Sequence, residues 1–518
     1  MENVSILWAD DEIDLLKPHL LFLEEKGYAV VTANNGQDAI ELVREKHFDL
    51  VFLDENMPGM GGLETLSEIK SHRPELPVVM VTKSEEEHIM ESAIGGKIAD
   101  YLIKPVRPNQ LWMSVKKIMD SRRLVQEQSS QQYIREFREI SMQISGRMDF
   151  SDWEDVYRKL VYWEMELAQT RNTAMLEILT AQKQEANQQF VRSVQRDYTH
   201  WLSGSSGAPL MSHQIFKDKV QPLLRSNSDK PVFWIVVDNL RWDQWKSIWP
   251  MMTDVYRIKE ESLTCSILPT ATQYARNAMF AGMLPDQIKR KFPQWWIEED
   301  EEGSKNAHEE NLLKEQMKSL GLNLKMAYHK ITNLQSGKRL VEQFSNLNQN
   351  ALNVIVYNFV DMLSHARTDM EVIRELAADE EGYRSVTRSW FANSPLQEML
   401  RKAAEMKALV VVSTDHGTIR VNNPIQVVGD RNTSTNLRYK MGKNLKYNPS
   451  EVVEFERPES IGLPKTNVSS RYIFADTDGF FAYPNNYNYY VNLYRNTFQH
   501  GGVSLEEMLI PLAVLESK

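Results

Sequence analysis

The chain has 518 residues, 42% hydrophobic and 25% charged, enough for about two to four domains with cores of their own. Its formal charge of −11 argues against tight duplex DNA binding through bulk electrostatics. The single cysteine, Cys265, excludes an intrachain disulfide framework and fits a reducing compartment. With no apolar stretch of about eighteen residues and no charged-then-apolar leader after Met1, a cytoplasmic protein without a membrane span is expected.

In residues 1–120, short apolar runs at 4–8, 28–33, 49–53, 77–82 and 99–103 alternate with amphipathic stretches, such as Ile40, Val43, Arg44 and His47. This predicts a flavodoxin-like, doubly wound parallel sheet, whose ligands gather at the carboxyl ends of the strands. Asp10 and Asp11 follow the first run, Asp54 the third, and Lys104-Pro105 the fifth, while Thr82 closes the fourth. Three carboxylates at one rim suit a hard divalent cation.

Residues 121–205 hold little Gly or Pro and read as helices. Tyr133, Phe137, Ile140 and Ile144 recur at helical spacing. Ser151-Asp152-Trp153-Glu154 reads as a capping box opening a second helix, with Trp153, Tyr157, Leu160 and Leu167 inward. A third helix spans about 173–201, with Met175, Leu179, Ala186, Phe190, Val194 and Tyr198 inward, before a Gly/Ser-rich flexible joint at 203–209. A helical bundle serving as a spacer is expected. The paired-helix spacing and basic recognition helix of a DNA-binding output are missing.

Residues 206–518 carry the chemistry. Asp238 follows the apolar run 231–237, Asp361 and His365 follow 351–360, and Asp415-His416 follows 408–414. His500 comes late, in Gln499-His500-Gly501-Gly502, and Pro269-Thr270-Ala271-Thr272 offers a hydroxyl nucleophile. Two cations about 4 Å apart clamp the attacking and leaving oxygens of an in-line displacement, and each needs about three protein ligands. Six Asp and His residues supply two such triplets, which reads as a two-metal phosphoryl- or sulfuryl-transfer centre.

Two insertions stand out. The acidic run within 298–310 reads as a solvated loop or cap edge. Residues 417–450 hold Arg420, Arg431, Arg438, Lys440, Lys443 and Lys446 against the single acid Asp430, and are expected to steer an anionic substrate. Tyr439, Tyr447 and the tyrosines of 487–490 are candidates for stacking on bases.

Asp238, the Pro-Thr-x-Thr segment, Asp361-x-x-x-His365, Asp415-His416 and His500 resemble the metal-and-nucleophile pattern of the alkaline phosphatase superfamily. The spacing and the late His-Gly-Gly are similar to its PglZ-type domain, over residues 230–518. The resemblance implies two zinc ions, one held by Asp238, Asp415, His416 and Thr272, the other by Asp361, His365 and His500. It makes Thr272 the nucleophile. Cys265-Ser266-Ile267 lacks the sulfatase pattern. Gln273 stands where monoesterases of the superfamily tend to carry arginine, and Ala275, Arg276 and Asn277 stand near the asparagine of related diesterases. Monoester or diester stays open, leaning towards diester.

Leu7-Trp8-Ala9-Asp10-Asp11-Glu12, Asp54-Glu55-Asn56-Met57-Pro58 and Leu102-Ile103-Lys104-Pro105 resemble the receiver domain of response regulators. That resemblance implies that Asp54 accepts a phosphoryl group and that Asp10, Asp11, Asp54 and the Asn56 carbonyl bind magnesium. Thr82 and Lys104 would contact the phosphoryl group and Tyr101 swing inwards on activation. Lys83 departs from the family, which has a small residue there.

The whole arrangement resembles the PorX type of response regulator. It implies a cognate sensor histidine kinase, a homodimer on phosphorylation, an oligonucleotide-like phosphodiester substrate and a role in type IX protein secretion, with partners in the transcription or secretion machinery. The alternative is a signalling adaptor acting through protein contacts, its zinc site structural or ligand-binding. The expected domains are 1–120 (receiver), 121–205 (helical) and 206–518 (PglZ-type).

Overall fold

The structure, a computed structural model, describes residues 4–83, 98–170, 172–226, 230–299, 301–429, 433–455, 457–465 and 470–518; at 122, 365–369, 371 and 372 it describes the backbone alone. The chain divides into two compact units, residues 1–131 and 132–518. The helix Pro108–Ile144 contributes residues to both.

In the first unit, β1 (Ser5–Ala9), β2 (Ala29–Ala33), β3 (Leu50–Asp54), β4 (Val78–Thr82) and β5 (Asp100–Ile103) form a parallel sheet in the order β2-β1-β3-β4-β5. Every residue of β3 and β4 is buried, which is why they read as continuous apolar runs rather than alternating ones. Leu7, Leu53 and Met80 pack on one face with Ile40, Val43 and Leu66; Trp8, Phe52 and Val81 pack on the other with Leu111 and Val115. The helix Gly36–Glu45 starts where the Asn35 side chain accepts the Asp38 N–H, so His47 lies beyond its end.

In the second unit, β6 (Val232–Val237), β7 (Tyr256–Cys265), β8 (Met326–Ile331), β9 (Leu352–Tyr357) and β10 (Leu409–Ser413) build the main sheet. The short strands β11 (Ile419–Arg420), β12 (Asn423–Gln426), β13 (Tyr439–Gly442), β14 (Val452–Glu454), β15 (Arg471–Ala475), β16 (Gly479–Ala482) and β17 (Phe498–Gln499) form side sheets. The last strand, β18 (Leu509–Ser517), returns to the main sheet, whose order is β7-β18-β10-β6-β9-β8. β10, β6, β9 and β8 run parallel, so the residues just past β6, β9 and β10 emerge along one edge.

The helices Phe150–Gln169 and Thr173–Leu202 share a hydrophobic core with this sheet: Trp153, Leu160, Phe190 and Tyr198 belong to the same cluster as Trp234, Val356 and Val411. They form a wall of the second unit, where the sequence predicts a helical bundle serving as a spacer. The capping box lies two residues before the expected one. Asp149 accepts the Asp152 N–H and Asp152 accepts the Asp149 N–H, so Ser151 sits inside the helix. Beyond the turn residues at 203–209, Met211 bridges to Cys265, and Ile215 and Phe216 are buried in the same core. Among the described residues no helix is long and apolar enough to cross a membrane.

Candidate functional site

Asp238 follows β6, and Asp415 and His416 follow the neighbouring β10; all three are fully buried. One ligand atom from each lies within 4.8 Å of the other two. Thr272 opens the helix Thr272–Ala281, and its Oγ1 lies 3.1 Å from His416 Nε2 and 3.4 Å from Asp238 Oδ1. His416 Nδ1 donates to its neighbour's carbonyl, Gly417 O, at 3.0 Å, which turns Nε2 inwards as the acceptor. Asp415 Oδ1 accepts the Asn239 and His416 N–H groups, whereas Oδ2 is buried without a hydrogen bond among the described residues. Carboxylate, imidazole and hydroxyl atoms converging on one point, one of them a buried carboxylate oxygen that no described residue hydrogen-bonds, fit a divalent cation. Burial pushes the Asp238 carboxyl up to about 6; Arg276 pulls it down and Asp415 adds to the rise. Burial likewise raises Asp415 and lowers His416.

The second set lies alongside. Asp361 is on the helix Phe359–Asp369 after β9, and its Oδ1 is 3.6 Å from His500 Nε2. The His500 ring stacks on His416 at 4.2 Å between centroids, and its Nδ1 donates to Thr270 O at 3.1 Å, so Nε2 faces Asp361. Gly501 has φ +120°, the left-handed turn immediately after His500. His365 lies one helical turn from Asp361 in the backbone, and its side chain is outside the described residues. The structure therefore brings together Asp238, Thr272, Asp361, Asp415, His416 and His500 of the predicted set.

Several neighbours of the site carry no clear mark in the sequence. Arg276, one turn beyond Thr272, is buried with Nη1 2.6 Å from Asp238 Oδ2 and Nε 2.6 Å from Glu309 Oε1. The acidic insertion is fastened to the same helix rather than simply solvated. Gln273 Nε2 donates to Ile297 O, Tyr274 Oη to Glu299, Asn277 to Lys305 O and Asn306 to Thr272 O.

The basic insertion departs from expectation. Arg438 is fully buried, with Nη2 2.6 Å from the equally buried Glu507 Oε2. Lys440 is 1% exposed; its Nζ donates to Ser434 O and lies over the Tyr483 ring. Neither is placed to steer a substrate. Arg431 lies outside the described residues. Tyr439 is buried with its hydroxyl on Glu299, and Tyr447 donates to Glu454, so neither hydroxyl is free and Tyr439 offers no face to a base; Tyr489 is exposed.

At the rim of the first unit, Asp10 and Asp54 are buried and Asp11 exposed, their ligand atoms within 4.8 Å of one another. Lys104 Nζ bridges Asp10 Oδ2 at 2.8 Å and Asp54 Oδ1 at 2.7 Å. Asn56 N donates to Asp54 Oδ2, and the Thr82 hydroxyl donates to Glu55. Burial raises the Asp54 carboxyl, Lys104 opposing. Tyr101, half-buried on β5, packs against the core. Lys83 pairs with Glu12 at 3.2 Å.

Three families match in succession: the response regulator receiver domain at residues 6–116, the PorX response regulator linker domain at 123–202, and the BREX system PglZ alkaline phosphatase-like domain at 215–515. The chain is 40% identical over 123 residues to the transcriptional regulatory protein ZraR of Klebsiella oxytoca, covering 24% of this chain and 28% of that protein. It is 37% identical over 119 residues to the alginate biosynthesis transcriptional regulatory protein AlgB of Pseudomonas syringae pv. tomato, covering 23% and 27%. The chain thus spans little more than a quarter of the curated relatives it matches. A CheY-like receiver domain protein from Methanospirillum hungatei JF-1 is 27% identical, with TM-score 0.23, covering 23% of this chain and 96% of that one. Alkaline phosphatase-like and receiver domains typically bind metals, and both clusters have donor sets of that kind. A receiver, a PorX linker and a PglZ phosphatase-like domain in one polypeptide place this chain in the family of PorX-type response regulators.

Proposed function

We propose that the chain is a two-component regulator whose output is a zinc-dependent phosphodiesterase acting on oligonucleotide-like esters, in the control of type IX protein secretion. The observation that carries the enzymatic part is the convergence of Thr272 Oγ1 with Asp238, Asp415 and His416 at a helix N-terminus. The match to a PorX linker supports the secretion role. We divide the chain into a receiver (1–120), a helical linker (121–205) and a catalytic domain (206–518).

Asp238, Asp415, His416 and Thr272 would hold one zinc, and Asp361, His365 and His500 the other. Bound there, the ions supply Lewis-acid stabilisation of the attacking and leaving oxygens. The chain's own residues do the rest. Thr272 Oγ1 attacks phosphorus and gives up its proton, and the bond to one alcohol, which leaves protonated, breaks in line; a threonine-linked phosphodiester that keeps the second ester group results. Water then attacks that phosphorus and releases the Thr272 hydroxyl. The first backbone N–H groups of the helix Thr272–Ala281 would be available to the phosphoryl oxygens of a bound ester. The imidazoles of His416 and His500, each fixed by a backbone carbonyl, keep their Nε2 atoms turned inwards. In the receiver, Asp54 accepts a phosphoryl group from a sensor kinase, and Asp10, Asp11, Asp54 and the Asn56 carbonyl would hold a magnesium ion that neutralises the phosphoryl charge.

The test is a panel of phosphoesters, including linear and cyclic oligonucleotides, against wild type and Thr272→Val, together with elemental analysis. Zinc present, diesters hydrolysed and Thr272→Val inactive is the expected result. Zinc bound with no turnover on any ester would favour the adaptor reading.

A further inference from the structure

Asp238 and Asp415 are both 0% exposed, and both point at the same place. Taking a carboxylate out of water costs several kcal/mol, and two of them side by side repel as well. A bound ion would cancel that cost, but the metal-free protein must offset it in another way. Arg276 answers to this requirement. Its Nη1 is 2.6 Å from Asp238 Oδ2 and 3.6 Å from Asp415 Oδ2. It is anchored from behind, because Nε is 2.6 Å from Glu309 Oε1, while Glu309 Oε2 accepts Tyr328 Oη and Lys330 Nζ. Glu309 is itself 1% exposed.

The geometry also divides the two oxygens of Asp238. Oδ1 faces Thr272 Oγ1 and His416 Nε2, whereas Oδ2 is taken by Arg276. A bidentate clamp on a phosphoryl group needs a free guanidinium edge. Here Nε and Nη1 already donate to carboxylates, so the arginine serves the protein rather than the substrate.

We propose that Arg276 is a positioning residue and the resident counter-charge of the metal site: it holds Asp238 and Asp415 in the metal-free protein and leaves Asp238 Oδ1 as the ligand atom. This rests on the reading of Asp238, Asp415 and His416 as zinc ligands. The same positive charge that steadies the empty site opposes the incoming ion. Its loss therefore weakens the metal-free protein most and makes folding depend on zinc.

The experiment compares full-length wild type, Arg276→Lys and Arg276→Met, each stripped with chelator and each reloaded with zinc. Urea unfolding is followed by fluorescence, and zinc affinity by competition with a chromogenic chelator. For wild type, zinc raises the unfolding midpoint. For Arg276→Met the stripped midpoint falls while the zinc-loaded one stays near wild type, so the zinc-induced increment at least doubles. Arg276→Lys, which keeps the charge, stays close to wild type. Equal losses with and without zinc, or no loss in the stripped protein, would overturn the proposal. If Arg276→Met is insoluble even when expressed with zinc, Arg276→Gln replaces it under the same criteria. A wild-type protein that neither binds zinc nor gains stability from it would sink the metal-site reading itself, a different outcome from equal losses in a zinc-responsive protein.

Discussion

Replacing Arg438 by Met separates a substrate-steering role from a structural one. Arg438 and Glu507 are both 0% exposed, and removing one partner of such a pair costs about 3–5 kcal/mol because the other charge is left buried. Glu507 would keep the Gly502 N–H at 2.8 Å and the Ser504 hydroxyl at 2.7 Å, which argues for the lower end, about 3 kcal/mol. Arg438 also donates to the carbonyls of Asp476 and Gly479, and each left bare adds about 1 kcal/mol. Methionine refills part of the volume, so the expected loss is about 4 kcal/mol. That is a large fraction of the roughly 5–15 kcal/mol by which domains are stable. Because Glu507 also ties Thr270 to Gly502, the loops carrying Thr272 and His500 should loosen together. Urea unfolding of the catalytic unit should shift to lower denaturant, and KM for a short chromogenic diester and for an anionic oligonucleotide should change by the same factor. An unchanged midpoint with KM raised for the oligonucleotide alone would refute the structural role and restore the steering one.

Lys440 gives a pH signature: burial lowers its ammonium to about 7, Glu299 opposing, against about 10.4 in the unfolded chain. Between those values the unfolded chain binds the extra proton, so wild type should gain up to about 1.4 kcal/mol per pH unit relative to Lys440→Met as pH rises. Parallel stability curves for the two proteins from pH 7 to 9 would contradict this. His500→Ala should lower zinc content at the Asp361 set more than at the Asp238 set, read as a fall from about two ions towards one by elemental analysis; an unchanged zinc content would remove His500 from the ligands. An acyl-phosphate donor with magnesium should move the mass from monomer towards dimer in light scattering, and Asp54→Ala should abolish the response. No change in mass despite confirmed phosphorylation would rule out dimerisation as the switch.

The two sheets are legible in the sequence because their central strands are buried on both faces, so that runs such as 408–414 carry little besides apolar residues. The candidate ligands are legible because a parallel sheet delivers the end of each strand to one edge: Asp238 follows β6 at once, Asp415 and His416 follow β10 after Thr414, and Asp361 lies in the first turn of the helix after β9. The register of charge is not legible. Arg438 and Lys440 look like surface residues in a Lys/Arg-rich stretch. Their burial depends on Glu507, Ser434 and Tyr483, of which Glu507 is 69 residues away from Arg438 in the chain. Arg276 reads only as a neighbour of the nucleophile, since Glu309, its second partner, sits 33 residues on in a run that reads as solvated acid.

The helices of the linker region are legible in the sequence, but the charges they carry into the interior are not. Glu164 and Lys183 fall on helices whose inward faces are marked in the sequence by apolar residues alone. In the folded protein Lys183 Nζ lies 2.6 Å from Glu164 and 3.4 Å from Glu506. Glu164 meets Arg384 at 3.1 Å, Arg384 meets Asp243 at 3.2 Å, and Asp243 pairs with Arg241. Arg241 stands three residues beyond Asp238, and its side chain packs beside Gly417, next to His416. A Cβ on Gly417 would meet Glu506 O at 2.0 Å, so that close approach needs glycine. The helices therefore reach the loops that carry Asp238 and His416 through ion pairs and backbone contact. An apolar-periodicity argument cannot see this, because the partners that make those charges interior belong to another part of the chain.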